Sequence, residues 1–247
     1  MISKGDTDKQ ADLRNGMIKK GKTRRSRYVS RILTILKPAM KILDVGCGTA
    51  HIIQELAANR KTSEHIGLDV SKAMLKLAKE NYGKSHNIGL VMGDGLILPF
   101  PDKAFDIVIT KLAEYSPQET YRVLKRKGKF LECSLGPEAD KEIMEFFPER
   151  IKTENFFFPN NLKEWKQEVT EPIKKTGFIV SEVEDYKEDD YYRSEDELMD
   201  LIEMVPLVKN FDRKKDRMLV KKLAEKYGEK RGIRITWHYY ILVATRP

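Results

Sequence analysis

Cysteine, histidine and tryptophan are scarce in this sequence, which has two cysteines, four histidines and two tryptophans among 247 residues. Two cysteines are too few for a disulfide framework or for most zinc sites, and the histidines are too scattered to suggest a metal site. No apolar run approaches the roughly 18 residues of a membrane span, and the first residues lack the apolar stretch of a secretory signal. We therefore expect a cytoplasmic protein with no membrane segment and no metal.

Charge is concentrated at one end of the chain. The net charge is +8, and residues 1–40 hold eleven Lys or Arg against three Asp, so they carry the whole excess. This pattern predicts a basic N-terminal helical arm over residues 1–37, followed by a globular domain over residues 38–247. The stretch from Lys19 to Arg31 could contact phosphates, or it could be a solvated helix face.

Short apolar runs alternate with helical patterns along most of the chain. The predicted strands are residues 41–45, 66–70, 88–92, 105–109, 129–133, 178–185 and 234–245. This alternation predicts an α/β fold, doubly wound, with a mostly parallel seven-stranded sheet. Residues 186–231 form a helical insertion before the last strand, and we expect them to act as a lid over the ligand crevice.

Two glycines separate the first strand from the helix that follows it. In residues 42–50, Ile-Leu-Asp-Val-Gly-Cys-Gly-Thr-Ala, Gly46 and Gly48 allow a tight turn and a close approach of the backbone to a ligand. Asp69 comes 21 residues after Gly48, where a carboxylate can accept hydrogen bonds from both hydroxyls of a ribose. These features predict a nucleoside cofactor at the mouth of the sheet.

The residues around this turn narrow the choice of cofactor. A dinucleotide site would have a third glycine where this chain has His51, and the Asp44 carboxylate would repel a pyrophosphate. A P-loop is excluded because no Lys-Ser/Thr follows the glycines. A carboxylate at this position suits a cationic ligand, such as the ammonium or sulfonium of S-adenosylmethionine. A nicotinamide-dependent dehydrogenase is a distant alternative.

The turn also resembles a known family. Residues 44–49, Asp-Val-Gly-Cys-Gly-Thr, resemble motif I of the class I S-adenosylmethionine-dependent methyltransferases, and residues 69–74, 93–100 and 121–130 agree with that family in order and spacing. In the last segment Arg-Lys replaces the Pro-Gly of the family pattern. The resemblance covers roughly residues 40–136 and implies a Rossmann-like methyltransferase domain.

The resemblance implies a set of cofactor contacts. The residues concerned are Asp44, Gly46, Gly48, Asp69, Met74, Asp94, Gly95 and Thr110. The first three would face the methionine end of S-adenosylmethionine, Asp69 would bind the ribose, and Asp94 with Gly95 would receive the adenine. Met74 would pack on the adenine face, although a helix methionine that faces a sheet is more often part of the core.

The methyl acceptor is expected beyond the fourth strand, at residues 110–115. Methyl transfer requires alignment of the nucleophile and exclusion of water, and it requires a base only when the nucleophile holds its proton. Glu114 is the candidate base, or else a solvated loop acid, and Tyr115 is the candidate positioning hydroxyl. Neither Cys47 nor Cys133 is placed as a nucleophile.

These observations favour an S-adenosylmethionine-dependent methyltransferase that acts on a small molecule. One alternative is an RNA methyltransferase that uses the basic arm, and another is a non-catalytic module that binds S-adenosylmethionine. The signature Asp/Asn/Ser-Pro-Pro-Tyr/Phe of enzymes that methylate base amines is absent. The identity of the acceptor, the atom that is methylated and the oligomeric state stay open.

Overall fold

The computed structural model describes residues 12–13, 16, 27–82, 85–151, 162–205 and 207–247. The helices are α1 (Arg27–Ile35), α2 (His51–Asn59), α3 (Lys72–Tyr82), α4 (Pro117–Val123), α5 (Lys141–Phe146), α6 (Leu162–Lys175), α7 (Glu195–Met204) and α8 (Arg217–Tyr227). The strands are β1 (Lys41–Val45), β2 (Glu64–Asp69), β3 (Ile88–Met92), β4 (Phe105–Lys111), β5 (Leu124–Leu135), β6 (Ile179–Tyr192), β7 (Gly228–Glu229) and β8 (Gly232–Thr245).

The strands form one sheet in the order β3-β2-β1-β4-β5-β8-β6, with β7 paired to β8. The ladders that join β1 to β2, β1 to β4, β2 to β3 and β4 to β5 are all parallel. Four of the five residues of β1 are buried, as expected for a short apolar strand covered on both faces. The predicted doubly wound, mostly parallel α/β fold is confirmed. The sheet also contains the two-residue strand β7, which pairs antiparallel with β8 and which the sequence pattern did not predict.

The strand order reverses between β1 and β4, because β2 and β3 lie on one side of this pair and β5 lies on the other. In open α/β sheets, ligands bind outside the carboxyl ends of the strands at such a switch point. Val45 of β1 is in register with Thr110 of β4 at these carboxyl ends. The topology therefore places residues 44–48 and the segment after β4 at the position where a ligand is expected.

The chain divides into two compact units. The first comprises Met1–Ser134, Lys166–Glu184 and Ile241–Pro247, and the second comprises Leu135–Trp165 and Asp185–Tyr240. Each unit has a buried apolar core of its own. In the first, α2 packs against β2 with fully buried side chains, and in the second, α7 and α8 pack against each other.

Helix α1 belongs to the core of the first unit. Tyr28 and Ile32 are fully buried, and the Tyr28 hydroxyl lies 2.9 Å from the carbonyl oxygen of Thr110 and 2.8 Å from that of Leu131. Burial raises the pKa of Tyr28 well above its usual value, so the hydroxyl keeps its proton. Helix α1, which lies within the predicted arm, is thus integrated with the sheet.

Two of the basic side chains in the predicted arm already have acidic partners. Arg27 forms an ion pair with Glu184 at 2.9 Å, and Arg31 forms one with Glu182. Both acids lie on β6. Because these guanidinium groups face carboxylates, they are less available to phosphates than the sequence alone suggested. Lys19 and the other basic residues up to position 26 lie outside the described residues.

Strand β6 is longer than the sequence predicts. Residues 186–192, which the sequence pattern places in the insertion, continue this strand, and the helical part before the last strand begins only at α7. The error has a physical cause: this stretch is rich in Asp and Glu, which are depleted in strands. The start of α7 agrees with its capping-box signal, because Ser194 Oγ accepts the N–H of Glu197 at 3.2 Å. A lid role for residues 186–231 stays a prediction.

Candidate functional site

The turn after β1 is held by hydrogen bonds to the end of β2. The N–H groups of Gly46 and Cys47 donate to the carbonyl oxygen of Leu68 at 2.8 and 3.0 Å. Gly46 has φ +75° and Gly48 has φ +54°, in the left-handed region that favours glycine. Both glycines are therefore required by the backbone conformation of the turn.

Asp69 binds the backbone on both sides of this crevice. Its Oδ2 accepts the N–H of Gly48 at 2.7 Å, and its Oδ1 accepts the N–H of Ser71 at 2.8 Å. Each carboxylate oxygen can accept more than one hydrogen bond, so ribose hydroxyls can still be received. The carboxylate thus joins the loops after β1 and β2, and a ligand would not be its sole partner.

Replacing Asp69 by alanine is expected to weaken S-adenosylhomocysteine binding at least tenfold and to lower the melting temperature by several degrees. Two backbone N–H groups would lose their acceptor, at about 1–3 kcal/mol for each group left unsatisfied. Calorimetric titration and thermal unfolding measure the two effects. Asp69→Asn is the matched control, since it keeps one acceptor oxygen and should therefore cause smaller losses of affinity and of melting temperature. Unchanged affinity in the alanine variant would contradict the ribose assignment.

Asp44 is a buried carboxyl group with an unused oxygen. The residue is 2% exposed, and its Oδ2 has no hydrogen-bond partner within the described part of the chain. Burial and, to a smaller extent, the charge of Asp69 raise the pKa of Asp44 to about 8, against the opposing charge of Lys111. A buried polar atom without a partner is unfavourable. An ammonium group from a ligand would satisfy this oxygen, so the site fits a cationic cofactor.

Apolar side chains are exposed near the carboxyl ends of β2 and β3. Val70 is 51% exposed, Met92 66%, Leu96 36% and Ile97 75%. Such a group of exposed apolar side chains fits the flat ring of an adenine. Met74, in contrast, is 1% exposed and lies in the core. The sequence interpretation missed Val70 because it extended the second strand through this residue.

The loop after β3 is held by helix α4. Arg122 donates to the carbonyl oxygens of Leu98 at 3.0 Å and Phe100 at 2.8 Å, and Glu119 accepts the N–H of Leu98 at 2.9 Å. The hydrogen bond from Arg122 lowers the pKa of Glu119. The family pattern has glycine at position 127, and Lys127 adopts the left-handed conformation that favours glycine, with φ +63°. The segment of residues 121–130 thus fixes the loop that carries the predicted adenine contacts.

Asp94 and Gly95 lie at the start of that loop. Asp94 Oδ1 accepts the N–H of Leu96 at 2.9 Å, which closes a tight turn. The carbonyl oxygen of Gly95 accepts the N–H of Ser116 at 3.1 Å. The predicted adenine-binding acid is therefore held in place by its own turn, beside the segment that follows β4.

The segment after β4 packs directly on the predicted cofactor glycines. A Cβ atom at Gly46 would lie 2.1 Å from the Cβ of Ala113, and one at Gly95 would lie 2.4 Å from the carbonyl oxygen of Glu114. Real Cβ atoms do not approach so closely, so neither position accepts a side chain without movement of this segment. The segment after β4 thus lies against both the glycine turn and the loop after β3.

The two candidate catalytic residues differ in their surroundings. Glu114 is exposed, which agrees with the interpretation of a solvated loop acid. Tyr115 is half-buried, its hydroxyl donates to Glu132 Oε2 at 2.8 Å, and its ring centroid lies 5.2 Å from that of Phe130. The sequence did not indicate Glu132 as a site residue, because a single acid in an apolar strand does not reveal that it bonds to Tyr115.

Thr110 uses its polar groups within the sheet. Its hydroxyl donates to the carbonyl oxygen of Val45 at 3.0 Å, and its N–H donates to the Tyr28 hydroxyl at 3.2 Å. The residue is 1% exposed. The hydroxyl contact joins β1 to β4 at the switch point. Because the Thr110 hydroxyl is buried and already bonded within the sheet, the geometry does not support its predicted contact with the cofactor.

The cysteines do not resemble nucleophiles. Cys47 and Cys133 are buried free thiols, and burial raises the pKa of Cys47 well above its usual value, which keeps the thiol neutral. Among the residues that the structure describes, no group of three His, Cys, Asp or Glu could hold a metal ion. Within the same residues, no helix combines the length and the apolar character needed to cross a membrane.

The second unit contains a buried acidic pair that the sequence did not indicate. Asp140 is 1% exposed and Glu142 is fully buried, and neither oxygen of Asp140 has a hydrogen-bond partner in the described ranges. Burial, together with the charge of Glu142, raises the pKa of Asp140 to about 7. Arg234 Nη1 lies 3.3 Å from Glu142 Oε1, so the guanidinium offsets the charge of that acid.

Asp140→Asn is expected to flatten the pH dependence of stability. Because the folded pKa of Asp140 is raised, the native state keeps a proton that the unfolded state loses, and stability falls as pH rises from about 4 to about 7. The variant should therefore gain stability relative to wild type as the pH approaches 8. Urea unfolding between pH 5 and 8 measures this. Asp196→Asn, whose side chain is 65% exposed, is the matched control, and a parallel pH profile in both variants would contradict the expectation.

Comparison with known proteins agrees with this geometry. A family model described as a methyltransferase domain matches residues 36–201. The demethylmenaquinone methyltransferase of Staphylococcus saprophyticus is 41% identical over 101 residues, which are 38% of this chain and 43% of that protein. The malonyl-[acyl-carrier protein] O-methyltransferase of Legionella pneumophila is 31% identical over 125 residues, which are 48% of this chain and 44% of that protein. The matches thus span less than half the length of these curated relatives.

A solved structure gives the same fold. The phosphoethanolamine N-methyltransferase 2 of Haemonchus contortus, in complex with S-adenosyl-L-methionine, has a TM-score of 0.58 and 18% identity, with 100% of this chain and 60% of that chain covered. The family match includes the glycine turn, Asp69 and the segment after β4. With the switch-point geometry and the motifs of residues 44–49 and 69–74, it shows that the chain belongs to the class I S-adenosylmethionine-dependent methyltransferase family.

Proposed function

We propose that this chain transfers a methyl group from S-adenosylmethionine to a small-molecule acceptor. The observation that carries the proposal is Asp44, a buried carboxyl group with an unpartnered oxygen at the switch point of a class I fold. When bound, S-adenosylmethionine supplies a methyl carbon that its sulfonium has activated for displacement. The protein then has to hold the cofactor, align the acceptor and exclude water.

The cofactor would be held by residues from three loops. Asp44 would receive the ammonium group, Asp69 the ribose hydroxyls and Asp94 the amino group of the adenine. Val70 and Leu96 would pack on the adenine ring, since both are exposed apolar residues near the carboxyl ends of β2 and β3. Gly46 and Gly48 would let the backbone approach the methionine end.

Two observations support a small acceptor. Of the curated relatives reported above, one is named for the small molecule demethylmenaquinone and one for a malonyl group on a carrier protein, and neither is named for a nucleic acid. Arg27 and Arg31, from the stretch that favoured RNA, are paired with carboxylates. In each of these pairs a carboxylate already offsets the guanidinium charge, which weakens the attraction of the side chain for a phosphate.

Labelled methyl transfer tests the function. The full chain is incubated with methyl-labelled S-adenosylmethionine and, separately, with the low-mass, protein and total RNA fractions of a cell extract. We expect label in the low-mass fraction and its loss in Asp44→Asn. Label in RNA, with RNA binding that weakens tenfold or more between low and moderate salt, would establish the RNA alternative. Binding of S-adenosylhomocysteine without transfer to any fraction would establish the non-catalytic module.

A further inference from the structure

Tyr115 and Glu132 form a pair that spans from the surface to the interior. The Tyr115 hydroxyl donates to Glu132 Oε2 at 2.8 Å. Glu132 is 9% exposed, whereas Tyr115 is half-buried. Tyr115 is therefore the more exposed member of the pair. A proton can pass to Glu132 by way of the Tyr115 hydroxyl.

Glu132 of this pair lies level with the carboxyl ends of β1 and β4, where the cofactor site is proposed. Glu132 is in register with Thr110 in the β4–β5 ladder, one strand away from β1. The negative charges of Asp44 and Glu132 both help to raise the pKa of Tyr28, after the larger effect of burial. When ionised, both carboxylates thus act on the same buried hydroxyl.

Tyr115 is fixed before any acceptor binds. On one side of it, Ala113 packs against Gly46, and on the other, Ser116 donates to the carbonyl oxygen of Gly95. Its ring packs on Phe130. A hydroxyl held in this way needs little reorganisation to meet a substrate, which is the condition for efficient proton transfer.

We propose that Glu132 is the positioning residue that makes Tyr115 a proton acceptor in methyl transfer, and that the methyl acceptor is consequently an atom that holds a proton at neutral pH, such as a hydroxyl or an acidic carbon. This inference rests on the proposed function. It replaces Glu114 as the source of the base, because Glu114 is exposed.

The proton and the electrons balance in this arrangement. As the acceptor atom bonds to the methyl carbon, its proton passes to the Tyr115 oxygen, and the Tyr115 proton passes to Glu132 Oε2. The electron pair of the broken carbon–sulfur bond stays on sulfur, which becomes a neutral thioether. Glu132 then releases its proton to solvent through Tyr115, and the pair returns to its starting state.

The first test needs no acceptor. The ultraviolet absorbance of ionised tyrosine is titrated in wild type, Tyr115→Phe, Glu132→Gln and the double variant, so that differences isolate the ionisation of Tyr115. We expect Tyr115 to ionise at a pH about one unit lower in the Glu132→Gln background than in the wild-type background, because the neighbouring negative charge is gone. Ionisation at the same pH in both backgrounds would overturn the coupling.

The second test separates proton transfer from simple support of the loop. Rates of label transfer to the low-mass extract fraction should fall roughly 100-fold or more in Glu132→Gln and Tyr115→Phe, with the loss in kcat, and Glu132→Asp should recover part of the rate. The double variant should be no slower than either single one. Glu64→Gln, at the amino end of β2 and 55% exposed, is the control for the same chemical change.

The outcomes distinguish the inference from the function on which it rests. If Glu132→Gln matches wild type in rate, the pair is only a structural contact and the inference is wrong, while the methyltransferase function stands. If wild type transfers no label to any fraction, the function fails and the inference fails with it, although the titration still shows whether the two side chains are coupled.

Discussion

Asp44→Asn should weaken the binding of S-adenosylhomocysteine roughly 100-fold at pH 8, which corresponds to the loss of about 3 kcal/mol from a buried charged hydrogen bond. In the free protein the pKa of Asp44 is about 8, chiefly because of burial. A ligand ammonium group would favour the ionised carboxylate. Cofactor binding is therefore expected to release up to one proton at neutral pH.

The sign of the pH dependence follows from this raised pKa. Below pH 8 the free carboxyl group is protonated, so binding must remove the proton, and affinity should rise by up to tenfold for each pH unit until it levels off above pH 8. In the free protein the same proton is kept by the native state and lost by the unfolded state. Stability without ligand should accordingly fall between about pH 4 and 8. Asp44→Asn should abolish the pH dependence of affinity and remove the contribution of this site to the pH dependence of stability, while that of Asp140 remains.

Titration calorimetry in buffers of different ionisation enthalpy measures the released proton directly. Wild type should show proton release at pH 7 and little at pH 9, and the asparagine variant should show none from this site. Asp196→Asn serves as the control, since this aspartate is 65% exposed. Affinity in wild type that is independent of pH from 6 to 8 would contradict the assignment of Asp44 to the ammonium group.

A side chain at position 46 is expected to abolish measurable cofactor binding. In Gly46→Val the added Cβ would lie 2.1 Å from the Cβ of Ala113, and the residue would be strained at φ +75°. The segment after β4 would have to move away from the glycine turn. We expect a loss of affinity for S-adenosylhomocysteine of at least 100-fold, measured by calorimetry.

A compensating substitution makes this prediction sharper. Gly46→Ala should also bind weakly, and Gly46→Ala combined with Ala113→Gly should recover part of the affinity, because the collision is removed while the backbone strain remains. Gly16→Ala is the control, since nothing lies within 4 Å of the added atom. Wild-type affinity in Gly46→Ala alone would show that the segment after β4 does not constrain the turn.

The parts of the fold that the sequence predicts well are those determined locally. The first four strands are short apolar runs between helical patterns, and the glycine turn follows from two positions that need positive φ. The predicted strand ends before β6 does because the acidic residues from Glu188 to Asp190 argue against a strand, and only the place of this segment in the sheet overrides that preference.

Sequence motifs indicate some of the candidate site residues, but not those that matter only because residues distant in the sequence come into contact. Asp44 and Asp69 follow from the family pattern, but the unpartnered oxygen of Asp44 depends on burial that no motif encodes. Glu132 is a candidate because it accepts a hydrogen bond from Tyr115, and Val70 is a candidate because it is exposed at the end of a strand. These properties arise from three-dimensional contacts, so composition and spacing cannot reveal them.

The contact between α1 and the sheet has a consequence for biosynthesis. Tyr28 reaches backbone atoms that lie 82 and 103 residues later in the chain. During translation, α1 leaves the ribosome before β4 and β5 exist, so its apolar face stays solvated until most of the first unit has been made. Such long-range closure slows folding, and a nascent chain that stalls before residue 131 would present this helix to chaperones or proteases.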